Sequence, residues 1–406
     1  MKILKAKYLL LCDEKFTILQ DKSVVFDEKI VEICEFKEAL KKYPNSQIYD
    51  FSNDIVLPAF INTHTHLEFS ANATTLIYGD FIKWVGSIVK SRSKLSKKAT
   101  QNLIAKQIKI IQKSGVGTIG EISSFGGEAE ICAKSRARFV FFNEVLGANE
   151  SVVEENFANF MARFENSQKF KSDMFIPAVS VHSPYSTHPN LTKKVCEFAR
   201  RENLIISTHF LESSHEKKWL ESGTGEFKKW LLNFNKNPKP FYTPSEFIAH
   251  FKGVKTLFTH CVWANEFSHF DPALHSVTTC VRSNRLLSKK RLNLDKILKA
   301  NLNLNIGTDG LSSNLNLNFL DELRTNLFMH ENIAVEKLAR ILLYCATNGG
   351  AKALGVNLGS IEKGKIADFA VFKGFEVANL SQLPLQLILQ SKNAKELFIK
   401  GQKCNF

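Results

Sequence analysis

Eight times along the middle of this chain an apolar run of strand length stops at a polar or titratable residue. The stops fall near His64, Glu121, Glu144, His182, His209, His260, Cys280 and Asp309. Stretches of helical character separate most of them, among them residues 99–113, 190–201 and 319–330. Strand–helix alternation repeated this often predicts an α/β fold, a (β/α)8 barrel of the TIM type. Such barrels gather their functional groups where the strands end. The residues that stop the strands are therefore the first candidates for chemistry.

The two ends of the chain differ from its middle. Short alternating stretches at residues 7–11 and 23–27 have counterparts at 368–372 and 395–401. They read as strands of a small β-sandwich domain formed from both chain ends. The expected division is 1–54 plus 356–406 for that domain and 55–355 for the barrel. Residues 223–246, rich in Lys, Asn and Pro, read as an insertion after the fifth barrel strand that borders a substrate pocket.

A chain of 406 residues has room for one large and one small domain. No apolar span reaches membrane length. The start lacks the long apolar core of a signal peptide, so a cytoplasmic location is expected. The eight cysteines include no C-x-x-C pair, which points away from a cysteine zinc site or a disulfide framework. Cys261 and Cys280 read as small buried hydrophobes. A formal charge of +14 raises nucleic-acid binding as a distant alternative. Its lysines, however, are dispersed through helix-like stretches such as 90–98 and 289–299, with no recognition motif beside them. Solvated helix faces account for them, and neither a nucleic acid nor a membrane is an expected partner.

His64-x-His66 closes the first barrel strand. Residues i and i+2 of a strand point the same way, so both rings can reach one ion. The fifth strand ends at His209 with Glu212 three residues on, the sixth at His260 and the eighth at Asp309. Taken singly, His209 or His260 could be a hydrogen-bonded core histidine, Asp309 before Gly310 a turn, and Glu212 a helix-start residue. Together at successive strand ends they form a set of neutral imidazoles and a carboxylate that suits one divalent cation, Zn2+ or Fe2+.

His64-Thr65-His66, His209-Phe210-Leu211-Glu212, His260-Cys261 and Thr308-Asp309-Gly310 resemble the amidohydrolase superfamily, and within it the cytosine/guanine deaminase and chlorohydrolase-like branch. The tail from Gly359 to Asp368 resembles that family's return into its β domain. By this resemblance His64, His66, His209 and Asp309 hold the metal, Glu212 shuttles protons and His260 holds the attacking water. Binuclear members carry a carboxylated lysine at the end of strand four, where this chain has His182, so a single metal is implied. Such an ion can lower the pKa of its water from 15.7 to about 7, and Glu212 would pass a proton to a ring nitrogen.

For the substrate, His182 resembles the histidine that contacts the ring in purine-type deaminases of the branch. Glu68 is read as an acceptor for ribose hydroxyls or as a structural cap. Trp84 is read as a stacking partner or a core residue. His66-Leu67-Glu68-Phe69-Ser70 and Phe81-x-x-Trp84 look most like the aminodeoxyfutalosine deaminases of the futalosine route to menaquinone. Their substrate is a carboxyphenyl-bearing adenine nucleoside, for whose carboxylate Arg282 and Arg285 are the candidate cations. Arg282 is alternatively a salt-bridged residue, and the family usually has Pro where Val281 stands. Deaminases of adenosine, methylthioadenosine, S-adenosylhomocysteine or guanine share the same metal logic and stay open. Cyclic-amide hydrolases fit less well without the strand-four lysine. The family resemblance also leaves room for a homodimer.

Overall fold

The structure is a computed structural model that describes residues 1–72, 76–91 and 97–405. Four strands come first: β1 (Lys2–Leu10), β2 (Ile18–Phe26), β3 (Ile30–Cys34) and β4 (Gln47–Pro58). Eight follow through the middle: β5 (Phe60–Thr65), β6 (Val116–Ser123), β7 (Arg138–Val145), β8 (Phe175–Val181), β9 (Ile206–Phe210), β10 (Thr256–His260), β11 (His275–Thr279) and β12 (Asn303–Ile306). The chain closes with β13 (Phe369–Lys373), β14 (Glu396–Ile399) and β15 (Gln402–Cys404).

The middle strands pair in chain order into one eight-stranded parallel sheet, with helices between all neighbours except β10 and β11 among the described residues. This is the expected (β/α)8 architecture, and its strands stop within three residues of the expected positions. Helices Lys97–Lys113, Pro189–Arg201 and Phe319–Met329 occupy the expected helical stretches. Of the lysine-rich stretch 90–98, residues 92–96 lie outside the described residues.

The two ends of the ladder, β5 and β12, meet along a seam. Asp309 N–H donates to the His64 carbonyl at 3.0 Å. Thr308 N–H donates to Asn62 Oδ1 at 3.0 Å, and Asn62 Nδ2 donates back to Thr308 Oγ1 at 2.8 Å. Thr63 Oγ1 donates to Asn305 Oδ1 at 2.6 Å. Gly307 allows this approach, because a Cβ there would stand 2.7 Å from His64 Cβ.

The chain ends meet in a single seven-stranded sheet of order β15-β14-β13-β4-β1-β2-β3. Its strands alternate in what they bury, as a period of two requires. Leu4, Ala6, Val56, Phe369 and Val371 form one apolar layer, while Leu10, Leu57, Ala370 and Phe372 join the core shared with the barrel. The chain leaves this sheet at Pro58 and enters the barrel at Phe60. Among the described residues no helix is long and apolar enough to cross a membrane.

One buried ion pair ties the two sheets together. Arg138, at the start of β7, binds Asp368, just before β13, and both side chains are 2 % exposed. Asp368 also accepts Lys400 N–H at 2.7 Å. Arg138→Leu leaves that carboxylate buried and unpaired, with an expected loss of roughly 3–5 kcal/mol in urea unfolding. The double variant R138L/D368L removes both charges and is expected to recover most of the loss. Equal losses in the single and double variants would show that the pair's charge complementarity is irrelevant.

Candidate active site

The strand ends on one face of the barrel surround a cavity of about 210 Å³. His66, His209, His260, Glu212 and Asp309 line it together with His182 and Trp84. His64 lies just beneath, fully buried. The five imidazole and carboxylate groups from β5, β9, β10 and β12 named by the metal motif therefore converge, although they are scattered over some 245 positions of sequence.

Their distances suit a small cation. His66 Nε2 lies 3.2 Å from His209 Nε2. Asp309 Oδ1 lies 3.6 Å from His66 Nε2 and 3.8 Å from His64 Nε2. Four N/O donors arranged tetrahedrally at metal-bond length would be about 3.4 Å apart. His209 Nδ1–H donates to the His182 carbonyl at 3.0 Å, which turns the Nε2 lone pair inward. His64 Nε2 is buried with no hydrogen-bond partner. Burial pushes the His64 and His209 pKa well down, and neighbouring imidazoles add to this, so both rings are neutral donors. Burial works against ionisation of Asp309, but His66, His260, His64 and the Ser283 hydroxyl outweigh it and hold the carboxyl below its ordinary range. Neutral imidazoles with one anionic oxygen are the donor set of a Zn2+ or Fe2+ site.

Glu212 and His260 stand beside this set. His260 Nε2 is 3.7 Å from Glu212 Oε1 and 4.0 Å from Asp309 Oδ2. Its other nitrogen is 2.8 Å from Asn284 Oδ1, so Nδ1 carries the hydrogen and Nε2 presents its lone pair to the site. Glu212 is 5 % exposed. Burial, Asp309 and Glu216 raise its pKa well above the ordinary carboxyl value, the condition for a group that holds and delivers a proton near neutrality.

The local backbone is bent to achieve this. Leu211, His260 and Asp309 have φ of 47°, 74° and 58°, a region that non-glycine residues enter at a cost of roughly 1–3 kcal/mol each. Glu216 holds the first of these turns, accepting Leu211 and Glu212 N–H at 2.9 Å each. Burial pushes Glu216 up to about 7. Ser213 accepts Glu216 N–H at 3.1 Å and so starts helix Ser214–Ser222. The spacing Ser213-x-x-Glu216 is the sequence signal for this turn.

A single helix, Val281–Ser288, steadies three of the groups. Ser283 Oγ donates to Asp309 Oδ2 at 2.7 Å, Asn284 bonds His260, and Ser288 Oγ donates to the Glu212 carbonyl. None of these three was identified as a site residue in the sequence.

Three of the sequence-derived substrate contacts are not among the described lining residues of the cavity. Arg282 is buried and does not line the cavity. Its guanidinium faces Glu322 at 3.9 Å and donates to Asn316 Oδ1 at 3.1 Å, so its charge is already engaged. Arg285 is exposed on the same helix and is likewise absent from the cavity lining. Glu68 is likewise absent from the cavity lining. Its carboxylate accepts Ser124 N–H at 3.0 Å and Phe125 N–H at 3.3 Å, and so braces the loop after β6. Trp84 and His182 do line the cavity. The Trp84 N–H is anchored on the Ser312 carbonyl at 2.7 Å, and His182 Nδ1 lies 2.5 Å from Ser186 Oγ. Trp230, from the insertion after β9, completes the wall, and no lysine or arginine is among the lining residues.

The chain is similar to known proteins over almost its full length. It is 39 % identical over 390 residues, 95 % of this chain and 96 % of the relative, to an aminodeoxyfutalosine deaminase of Nitratiruptor sp.. It is 38 % identical over 417 residues, 99 % of each, to a Helicobacter pylori protein named adenosine deaminase. A crystal structure of Helicobacter pylori aminofutalosine deaminase in complex with methylthio-coformycin superposes with a TM-score of 0.95 at 38 % identity, covering 100 % of both chains. The amidohydrolase family model matches residues 55–404, which span the barrel and the three returning strands β13 to β15, and the chain belongs to that family.

Proposed function

We propose that this protein is a metal-dependent hydrolytic deaminase of an adenine nucleoside, converting aminodeoxyfutalosine to futalosine and ammonia. The observation that carries the reading is the placement of Glu212, His260 and Asp309 within 4.8 Å of one another beside the three convergent imidazoles. Near-full-length identity to an aminodeoxyfutalosine deaminase supports the choice of nucleoside.

His64, His66, His209 and Asp309 would hold one Zn2+ or Fe2+, which when bound activates water as a Lewis acid. His260 Nε2 and Asp309 Oδ2 orient that water and take its protons. Glu212 carries a proton to ring nitrogen N1 as the water oxygen bonds to C6. The second proton goes to the 6-amino group, the C6–N bond breaks, and ammonia departs. Water thus divides between the new carbonyl, N1 and the leaving amine, and the atoms balance. Trp84 stacks on the substrate and His182 contacts its ring. Burial of every acid–base group keeps bulk water from competing for these protons.

The name of the Helicobacter pylori relative favours adenosine as a second reading. An ammonia-release assay separates the two. It covers aminodeoxyfutalosine, adenosine, methylthioadenosine, S-adenosylhomocysteine, guanine and cytosine. The highest kcat/KM is expected for aminodeoxyfutalosine; a higher value for adenosine selects the second reading, and silence on the whole panel refutes the deaminase.

A further inference from the structure

The cavity holds one carboxylate that the reaction does not use. Glu144 ends β7, is 2 % exposed, and lines the cavity. Its Oε2 accepts the Ser124 hydroxyl at 2.7 Å and its Oε1 the Ser180 hydroxyl at 3.3 Å. Arg163 donates to the Glu144 backbone carbonyl at 2.8 Å, and its guanidinium interacts electrostatically with the Glu144 carboxylate without a direct hydrogen bond to it. A carboxylate offers about four acceptor positions, so two neutral hydroxyls leave it with capacity for donors from a ligand. Buried carboxylates without such donors are costly.

Glu144, His182 and His209 each bring one donor atom within 4.8 Å of the others. They do not form a second ion cage. His209 Nδ1–H is already given to the His182 carbonyl, and its Nε2 faces His66. The remaining pair, Glu144 and His182, is a neighbouring acceptor and imidazole in the cavity lining.

The orientation required for deamination says what meets that pair. With C6 over the ion-binding residues and N1 at Glu212, N3 lies across the six-membered ring from C6 and points away from the ion-binding residues. N3 is an acceptor and sits beside the ribose 2′-hydroxyl, a donor. His182 and Glu144 are a matching donor and acceptor side by side. Beyond them the lining is largely apolar, with Val85, Ile88, Val89 and Leu146. Once the metal and acid–base groups are set aside, Glu144 is the one charged residue among the described lining residues.

We infer that Glu144 accepts the ribose 2′-hydroxyl and makes the enzyme specific for ribonucleosides; this rests on the adenine-nucleoside reading above. The test compares kcat/KM for adenosine and 2′-deoxyadenosine in the metal-loaded enzyme, in Glu144→Gln and in Glu144→Ala, with metal content measured in each. The wild type is expected to prefer adenosine by roughly 10- to 100-fold, because the deoxy substrate covers the remaining acceptor positions of the buried carboxylate without supplying a donor. Glu144→Gln, which keeps the side-chain shape and an acceptor oxygen, narrows the ratio, and Glu144→Ala brings it close to one. Absence of discrimination in the wild type, or undiminished discrimination in both variants, overturns the inference while leaving the deaminase intact. A wild type silent on every adenine nucleoside overturns both.

Discussion

Glu212→Gln is expected to lower kcat by roughly 10²- to 10⁴-fold, the usual worth of a positioned general acid–base group, with metal content unchanged. The amide fits the same volume beside His260 but cannot hold or release the proton. The effect should fall on kcat more than on KM, since the proton moves only as the C6–N bond is remade. The raised pKa of Glu212 is what makes the carboxyl fit for this task. Burial, Asp309 and Glu216 all disfavour its ionised form, so it is a competent acid at pH values where an exposed glutamate would be ionised. Near-normal turnover in Glu212→Gln would remove this residue from the mechanism and leave His260 as the remaining proton carrier. Measuring metal alongside turnover separates lost chemistry from a lost ion.

Removal of the metal is expected to abolish turnover and to lower Tm by several degrees. A ligand bound only by the folded state and present at a thousand times its Kd contributes about 4 kcal/mol. Chelation followed by one equivalent of Zn2+ or Fe2+ should restore both activity and Tm, and the better of the two ions identifies the native choice. His64→Ala should reproduce the chelated state without chelator, because His64 Nε2 is buried with no other hydrogen-bond partner. Apo-protein that turns over at the original rate would refute a metal-dependent reaction. A need for two equivalents would refute the single-ion reading, which rests on His182 standing where binuclear relatives carry a lysine.

Much of the barrel and the core of the site were legible in the sequence because both depend on where apolar runs stop. His64, His66, His209, His260 and Asp309 interrupt strands at their ends, and a parallel barrel brings all such ends to one face. The residues that hold them were not legible. Asn284 meets His260 across 24 positions and Ser283 meets Asp309 across 26, contacts set by the path of one helix over the barrel mouth. The same stretch drew attention for its arginines. Yet the charge of Arg282 is engaged by Glu322, 40 positions away, which no local pattern reveals. Glu68 reads from the sequence either as a ribose acceptor or as a structural cap, and the amides of Ser124 and Phe125 that its carboxylate accepts lie 56 and 57 positions away, beyond any local pattern. Glu144 could be counted as a strand end, but its exposure to the cavity depends on the neighbours that β6 and β8 supply.

The seam between β5 and β12 has a consequence for how the barrel forms. Its bonds join residues 246 positions apart, and closing a loop of that length costs about 5 kcal/mol of chain entropy in a simple polymer estimate. His64 and His66 stand on one side of that seam and Asp309 on the other. An ion bound by all three would bridge the first and last staves of the barrel at the point where circular closure is most expensive. The proposed metal would then be a clasp as well as a reagent, and its loss would loosen the ring along one predictable line.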